Sequence, residues 1–159
     1  MTEYHAPKGG LPPQTSLMTG RAAFTEAYCV IPKGCFSAIV TSCLPGWART
    51  RLWLIARPMS GFSETFSQYV MEVAPGGGSD TPEPDPVAEA VIFVTEGEIW
   101  LSLDGKEHDL GPGGYAYIPP GSDWRVHNGT DHPARFHWVR KLYEYAPGLA
   151  APKAFVTSD

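Results

Sequence analysis

A chain of 159 residues, 43% of them hydrophobic, holds enough apolar material for one ordinary core, so a single domain is expected. Its 12 basic and 17 acidic residues leave a net charge of −5, and no stretch concentrates Lys and Arg, which argues against nucleic acid or an anionic membrane as a partner. No segment approaches roughly 18 uninterrupted apolar residues, and Met1 to Gly20 lacks a basic stretch followed by an apolar run, so the chain is expected to be soluble and cytoplasmic.

Gly 17 and Pro 16 are spread along the chain, as many short strands and turns require, and this favours an all-β fold. Residues 1–20 are rich in Pro and Gly without apolar periodicity and read as an irregular N-terminal arm on the surface or on a partner subunit. Residues 23–31 and 50–57 (TRLWLIAR) carry the β-branched and aromatic enrichment of strands. In residues 66–73 (FSQYVMEV), Tyr69, Met71 and Val73 alternate with Gln68, Val70 and Glu72, the period of a half-buried strand. Residues 74–86 (APGGGSDTPEPDP) read as a polar loop between strands or across the mouth of a barrel.

From Glu89 onward the pattern is a meander: EAVIFVTE, a turn at Gly97, EIWLSL, a turn at Asp104-Gly105, a strand, a turn at Pro112-Gly113-Gly114, YAYI, Pro119-Pro120-Gly121, a strand, Gly129 and ARFHWVRKL. Turns about every 8 residues are those of a sandwich or barrel. Asp-Gly at 104 and 105 is a hairpin signal because both residues tolerate positive φ. Trp53, Trp100, Trp124 and Trp138 read as core, and His5 and His108 as surface. Cys29, Cys35 and Cys43 are odd in number and fit no C-x-x-C spacing, so packed, reduced thiols are expected; a nucleophilic role would need a base that the sequence does not display.

Residues 113–128 (GGYAYIPPGSDWRVHN) resemble the second cupin motif, G-x5-P-x-G-x2-H-x3-N, with Gly113, Pro119, Gly121 and Asn128 in place and Trp124 where the metal-binding histidine stands. The first motif, G-x5-H-x-H-x3,4-E-x6-G, ends here at Gly97; its shorter spacing begins at Gly78 and places the ligand positions on Pro84, Pro86 and Ala90. Pro, Pro, Ala and Trp offer no nitrogen or oxygen donor to manganese, iron or zinc, so the site reads as degenerate, with Trp124 filling its space. The longer spacing puts Glu83 and Asp85 at the histidine positions, with Glu89 one residue from the acid position. Together these carboxylates would suit a hard cation; the alternative is a solvated acidic loop. His127, His132 and His137 recur in what looks like a hairpin, across which two could face each other, although no fourth ligand is evident. Glu89, Trp124 and His137 remain as weak pocket candidates.

AEAVIFVTEGEI (88–99), GGYAYIPPG (113–121) and RKLYEY (140–145) resemble the N-terminal half of (S)-ureidoglycine aminohydrolase, a two-cupin enzyme that releases ammonia from ureidoglycine in purine and allantoin catabolism. That family's E-x7-G spacing fits Glu89 and Gly97. The resemblance implies a cupin jelly-roll barrel over residues 21–145, with 146–159 beginning an interdomain connection or forming a C-terminal tail. It also implies manganese and catalytic residues in a second cupin domain, so no catalytic residue carries over to this chain and no cofactor is expected in it. The partner would be that second domain, a further copy of the chain, or both.

Three functions stay open: a structural, oligomer-forming half of such a hydrolase; a stand-alone metal-free cupin that binds or senses a small organic ligand; and an enzyme acting through Glu83, Asp85 or Glu89. Arg125 or Arg140 could hold a substrate carboxylate, but strand alternation turns Arg125 away from the Trp124 face. The sequence reads equally as a fragment of a longer protein and as a natural single-domain relative.

Overall fold

The computed structural model describes residues 23–24, 28–31, 41–57 and 65–158. The N-terminal arm, His5 and Cys35 lie outside them. Residues 23–31 do not form one strand: β1 (Ala23–Phe24) and β2 (Cys29–Val30) are two-residue strands that pair antiparallel with each other.

The main body is a nine-stranded sheet that folds over on itself. Its strands are β3 (Ala48–Ala56), β4 (Phe66–Ser79), β5 (Ala88–Glu96), β6 (Ile99–Leu103), β7 (Lys106–Leu110), β8 (Tyr115–Ile118), β9 (Trp124–His127), β10 (Ala134–Leu142) and β11 (Phe155–Thr157). Hydrogen bonding runs β11-β8-β5-β10-β4-β9-β6-β7, with β3 also on β4. No helix among the described residues is long and apolar enough to cross a membrane.

β4 makes the fold possible. Its first part pairs with β10 and β3 through residues 66–73, and its last residues, Gly78 and Ser79, pair with His127 and Val126 of β9. One strand thus belongs to both layers, and the layers face each other as a jelly roll. The reading of 74–86 as a loop is corrected here, since β4 runs on through Ser79. The reason is steric. A Cβ on Gly78, whose φ is 141°, would lie 2.1 Å from the Val126 carbonyl oxygen, so only glycine lets β4 and β9 approach closely enough to pair.

Alternation then builds the core. Met71 and Val73 from β4, Ile92 and Val94 from β5, and Phe136 and Trp138 from β10 face Ile99, Leu101 and Leu103 of β6, Leu110 of β7 and Trp124 and Val126 of β9. Each of the fully buried apolar side chains adds about 1.5–3 kcal/mol of transfer free energy. The Asp104-Gly105 turn has positive φ at both residues, 49° and 77°, as a two-residue hairpin needs. Asn128, the last residue of the second motif, is a structural post: its amide donates to the carbonyls of Val73 at 2.9 Å and His132 at 2.7 Å, while its oxygen accepts from Thr130 N and Oγ1. β11 adds a strand on β8 within 146–159, where the sequence signals none.

Candidate functional site at the barrel mouth

The ligand positions of the two motifs gather at one end of the barrel. Trp124 enters from β9 and is 5% exposed; Ala90 on β5 is also buried, whereas Pro84 and Pro86 are exposed on the segment joining β4 to β5. The indole of Trp124 meets that of Trp138 edge-on, 6.0 Å between centroids. Trp138, 2% exposed, also packs against Trp47 at 5.6 Å and Tyr69 at 5.4 Å. Aromatic bodies therefore fill the mouth where a metal ion and its waters would need room. The donor set does not fit such an ion: two exposed prolines, an alanine and an indole supply no lone pair for one. Among the described residues no group of three or more His, Cys, Asp and Glu side chains is placed to hold a metal.

The acidic segment departs from the solvated loop anticipated for it. Glu83 is 5% exposed, and both its oxygens accept from Arg140, Oε2 from Nε and Oε1 from Nη2 at 2.9 Å. A carboxylate of this kind tolerates burial because a guanidinium fork satisfies both oxygens at once. The hydrogen bond to Glu83 holds the Arg140 guanidinium above the ordinary arginine range, against the opposing effect of burial. Asp85 lies 3.7 Å from Arg140 Nη2 and remains 35% exposed.

The carboxylates at 83, 85 and 89 do not converge. Glu89 sits between buried Ala88 and Ala90 on β5 and so points to the outer face of the barrel, where it accepts from the Tyr117 hydroxyl at 2.7 Å. Burial, together with that bond, pushes the Tyr117 phenol well above its usual value.

His137 likewise alternates with buried Phe136 and Trp138, and its Nδ1 lies 3.3 Å from Gln68 Nε2 on the outer face. Burial lowers its pKa. Of the three weak pocket candidates only Trp124 faces inward. The histidines do not oppose one another either, because β4 lies between β9 and β10. His127 is 3.0 Å from Asp80 and stacks near Trp100, while His132 is exposed beside Asp131. Arg125 is exposed, as alternation with Trp124 requires. Trp100 and His108 are half-buried rather than core and surface, and Cys43 is exposed rather than packed.

Three features escaped the sequence. Trp47 gave no strand signal; its indole reaches the Pro82 carbonyl at 3.4 Å. The Glu83–Arg140 pair joins residues far apart in the chain. On the outer face, Glu72 is clamped by Arg51 at 2.7 Å and Arg135 at 2.7 Å. Burial acts to raise its pKa, but the hydrogen bonds from the two arginines outweigh that effect and hold the carboxyl below its usual value.

With this geometry in hand, comparison with known proteins is informative. Residues 69–140 match the cupin domain family. Over 120 residues the chain is 27% identical to (S)-ureidoglycine aminohydrolase of Escherichia coli (strain K12), covering 73% of this chain and 45% of that protein. The crystal structure of a Pseudomonas aeruginosa protein assigned as glyoxylate-induced superposes with a TM-score of 0.81 at 57% identity, covering 99% of this chain and 57% of the other. The crystal structure of YlbA from E. coli gives a TM-score of 0.75 at 21% identity, covering 92% and 59%, a likeness of fold. The chain spans about half the length of these relatives. It carries a cupin domain, and its fold is the cupin jelly roll.

Proposed function

We propose that this chain is the non-catalytic barrel of a two-barrel, (S)-ureidoglycine aminohydrolase-like protein of the cytoplasm, in which it serves as a packed scaffold for a second, manganese-holding barrel. The observation that carries this reading is Trp124: it stands where a cupin holds its metal histidine, and it is buried edge-on against Trp138. Releasing ammonia from the carbon between a ureido and a carboxylate group needs an electrophile, a proton donor for the leaving nitrogen and an anchor for the carboxylate. A metal commonly supplies the first and third. Here Glu89 lies on the outer face, bonded to Tyr117, while Arg140 stands at the rim of the interior face, so a proton donor and a carboxylate anchor do not assemble around one substrate. The outer sheet face exposes Phe93 and Phe155, apolar surface that suits a second barrel or another copy of the chain.

The test is ammonia release from freshly generated ureidoglycine, paired with metal analysis after dialysis. The 159-residue chain is expected to match the spontaneous rate with or without manganese and to retain metal only substoichiometrically. A manganese-dependent rate abolished by Glu89→Gln would overturn the proposal.

A further inference from the structure

Arg140 is an unusual side chain for its position. β10 presents Ala134, Phe136 and Trp138 to the barrel interior, and strand alternation puts Arg140 on the same face. Its side chain is 29% exposed, at the rim of an aromatic enclosure. A guanidinium there calls for a carboxylate, and Glu83 supplies one from a segment whose Pro82, Pro84 and Pro86 have no N–H to donate. That segment is tied at its ends, by Tyr143 N to the Val87 carbonyl at 2.9 Å and by the Trp47 indole to the Pro82 carbonyl at 3.4 Å, whereas Asp85 N and Val87 N in between bond only to the carboxylates of Glu83 and Asp85 within it.

Two cavities flank the ion pair. One, of about 240 Å³, is walled by Trp47, Tyr69, Trp138 and Arg140. The other, of about 170 Å³, is walled by Trp124, Pro119 and Ser122. Glu83 and Pro84 line both and form the partition between them. Trp138, which lines the larger cavity, has a buried Nε1 with no acceptor, a donor that natural interiors seldom leave unpaired.

We infer that Arg140 heads a binding site for a small monocarboxylate at the barrel mouth, and that Glu83 occupies the site as an internal ligand. The entering carboxylate takes the place of Glu83 on the guanidinium fork, and the proline-rich segment swings out. The apolar body of the ligand then fills the space now split in two, and an oxygen comes within reach of the Trp138 N–H. Inorganic phosphate is disfavoured, because it brings no apolar body to the walls formed by Trp47, Tyr69 and Trp138. The combined space falls within the lower part of the usual range for small-molecule sites, roughly 300–1,000 Å³. A tethered carboxylate competes at an effective concentration on the order of millimolar or above, so the unmodified chain binds free acids weakly. The site requires no catalysis and stands whether or not the chain pairs with a hydrolase barrel.

The test titrates propionate into the full chain and into a Glu83→Gln, Asp85→Asn variant, which neutralises both internal competitors, following indole N–H signals by NMR and heat by calorimetry. The variant is expected to bind propionate at least about tenfold more tightly than the unmodified chain, with the Trp138 N–H signal moving downfield. Acetamide and inorganic phosphate are expected to leave that signal in place, and adding Arg140→Gln should abolish the response. Equal affinities within about twofold in the two proteins, or binding that survives Arg140→Gln, would overturn the inference. Should the variant fail to fold, propionate is expected to restore its folded near-ultraviolet signal where acetamide does not; failure of that rescue, with no indole shift in the unmodified chain, overturns it equally.

Discussion

Trp124 is packed into the barrel interior although it also lines the small cavity beside it, so truncating it should cost what a buried indole costs. Its ring is 5% exposed, so almost all of its surface leaves water on folding. Trp→Ala in such a place loses about 3–5 kcal/mol through transfer and the cavity left behind. The edge-on contact with Trp138 contributes about 0.5–1.5 kcal/mol of that. The neighbouring 170 Å³ cavity lets water reach part of the void, which pulls the figure toward the lower end, about 3–4 kcal/mol. Trp100→Ala is the control: half-buried on the outer face near His127, it should cost about 1 kcal/mol. Urea titrations followed by far-ultraviolet circular dichroism read both losses without relying on the deleted fluorophores. A loss below about 1.5 kcal/mol for Trp124→Ala, close to that of Trp100→Ala, would refute the filled-barrel account.

Two further outcomes are expected. Gly78→Ala forces a Cβ to within 2.1 Å of the Val126 carbonyl oxygen and 2.8 Å of His127 Cα; both obstacles are backbone, so the β4–β9 pairing must open and the loss should reach about 3 kcal/mol or more in the same titration, whereas Gly111→Ala, with open space and ordinary φ, should be near neutral. A cost below about 1 kcal/mol at Gly78 would mean that β4 and β9 are not held as close as described. Stability should also fall on acidification in two stages. Burial depresses the His137 pKa below 6.5, so the unfolded chain binds more protons in that window, and the contribution of neutral His137 is complete above 6.5 and lost as pH falls through its folded value. Glu72, also held below its ordinary value of 4.5, contributes fully above 4.5 and loses that contribution as pH falls further. Stability measured across the range should therefore drop first below 6.5, and His137→Gln should remove that first stage alone; an unchanged first stage in the variant would assign it elsewhere.

The meander from β5 to β10 was legible because each strand there has one face in the core and one in water, so period-two alternation survives in the sequence. Residues 74–79 were not, because a Pro-Gly-Gly-Gly run carries the signature of a loop; only the close approach of β9, distant in sequence, turns those glycines into strand. β1 and β2 looked like one strand because composition alone cannot register a break so short. β11 pairs through Phe155, Val156 and Thr157 only, too few residues for a pattern. At the site, motif spacing singles out Trp124, and the structure buries it on β9. The environment of Glu83 was misread for an opposite reason. Local composition predicts solvation, and it is a single guanidinium on β10 that draws the carboxylate inside.

The same ion pair bears on how the barrel differs from a metal-holding cupin. Here the backbone between β4 and β5 is drawn to Arg140 through Glu83, and in that position residues 84 and 86 are exposed at the rim. A histidine restored at either place would start outside the barrel, and an indole would still stand in the interior. Trp124→His with Ala90→Glu would supply two inward donors, one short of the three protein ligands that catalytic zinc sites, for example, commonly use. Building a metal centre here would thus require breaking the Glu83–Arg140 pair as well as replacing side chains. The aromatic packing and the Glu83–Arg140 pair thus both stand against a metal centre at the barrel mouth.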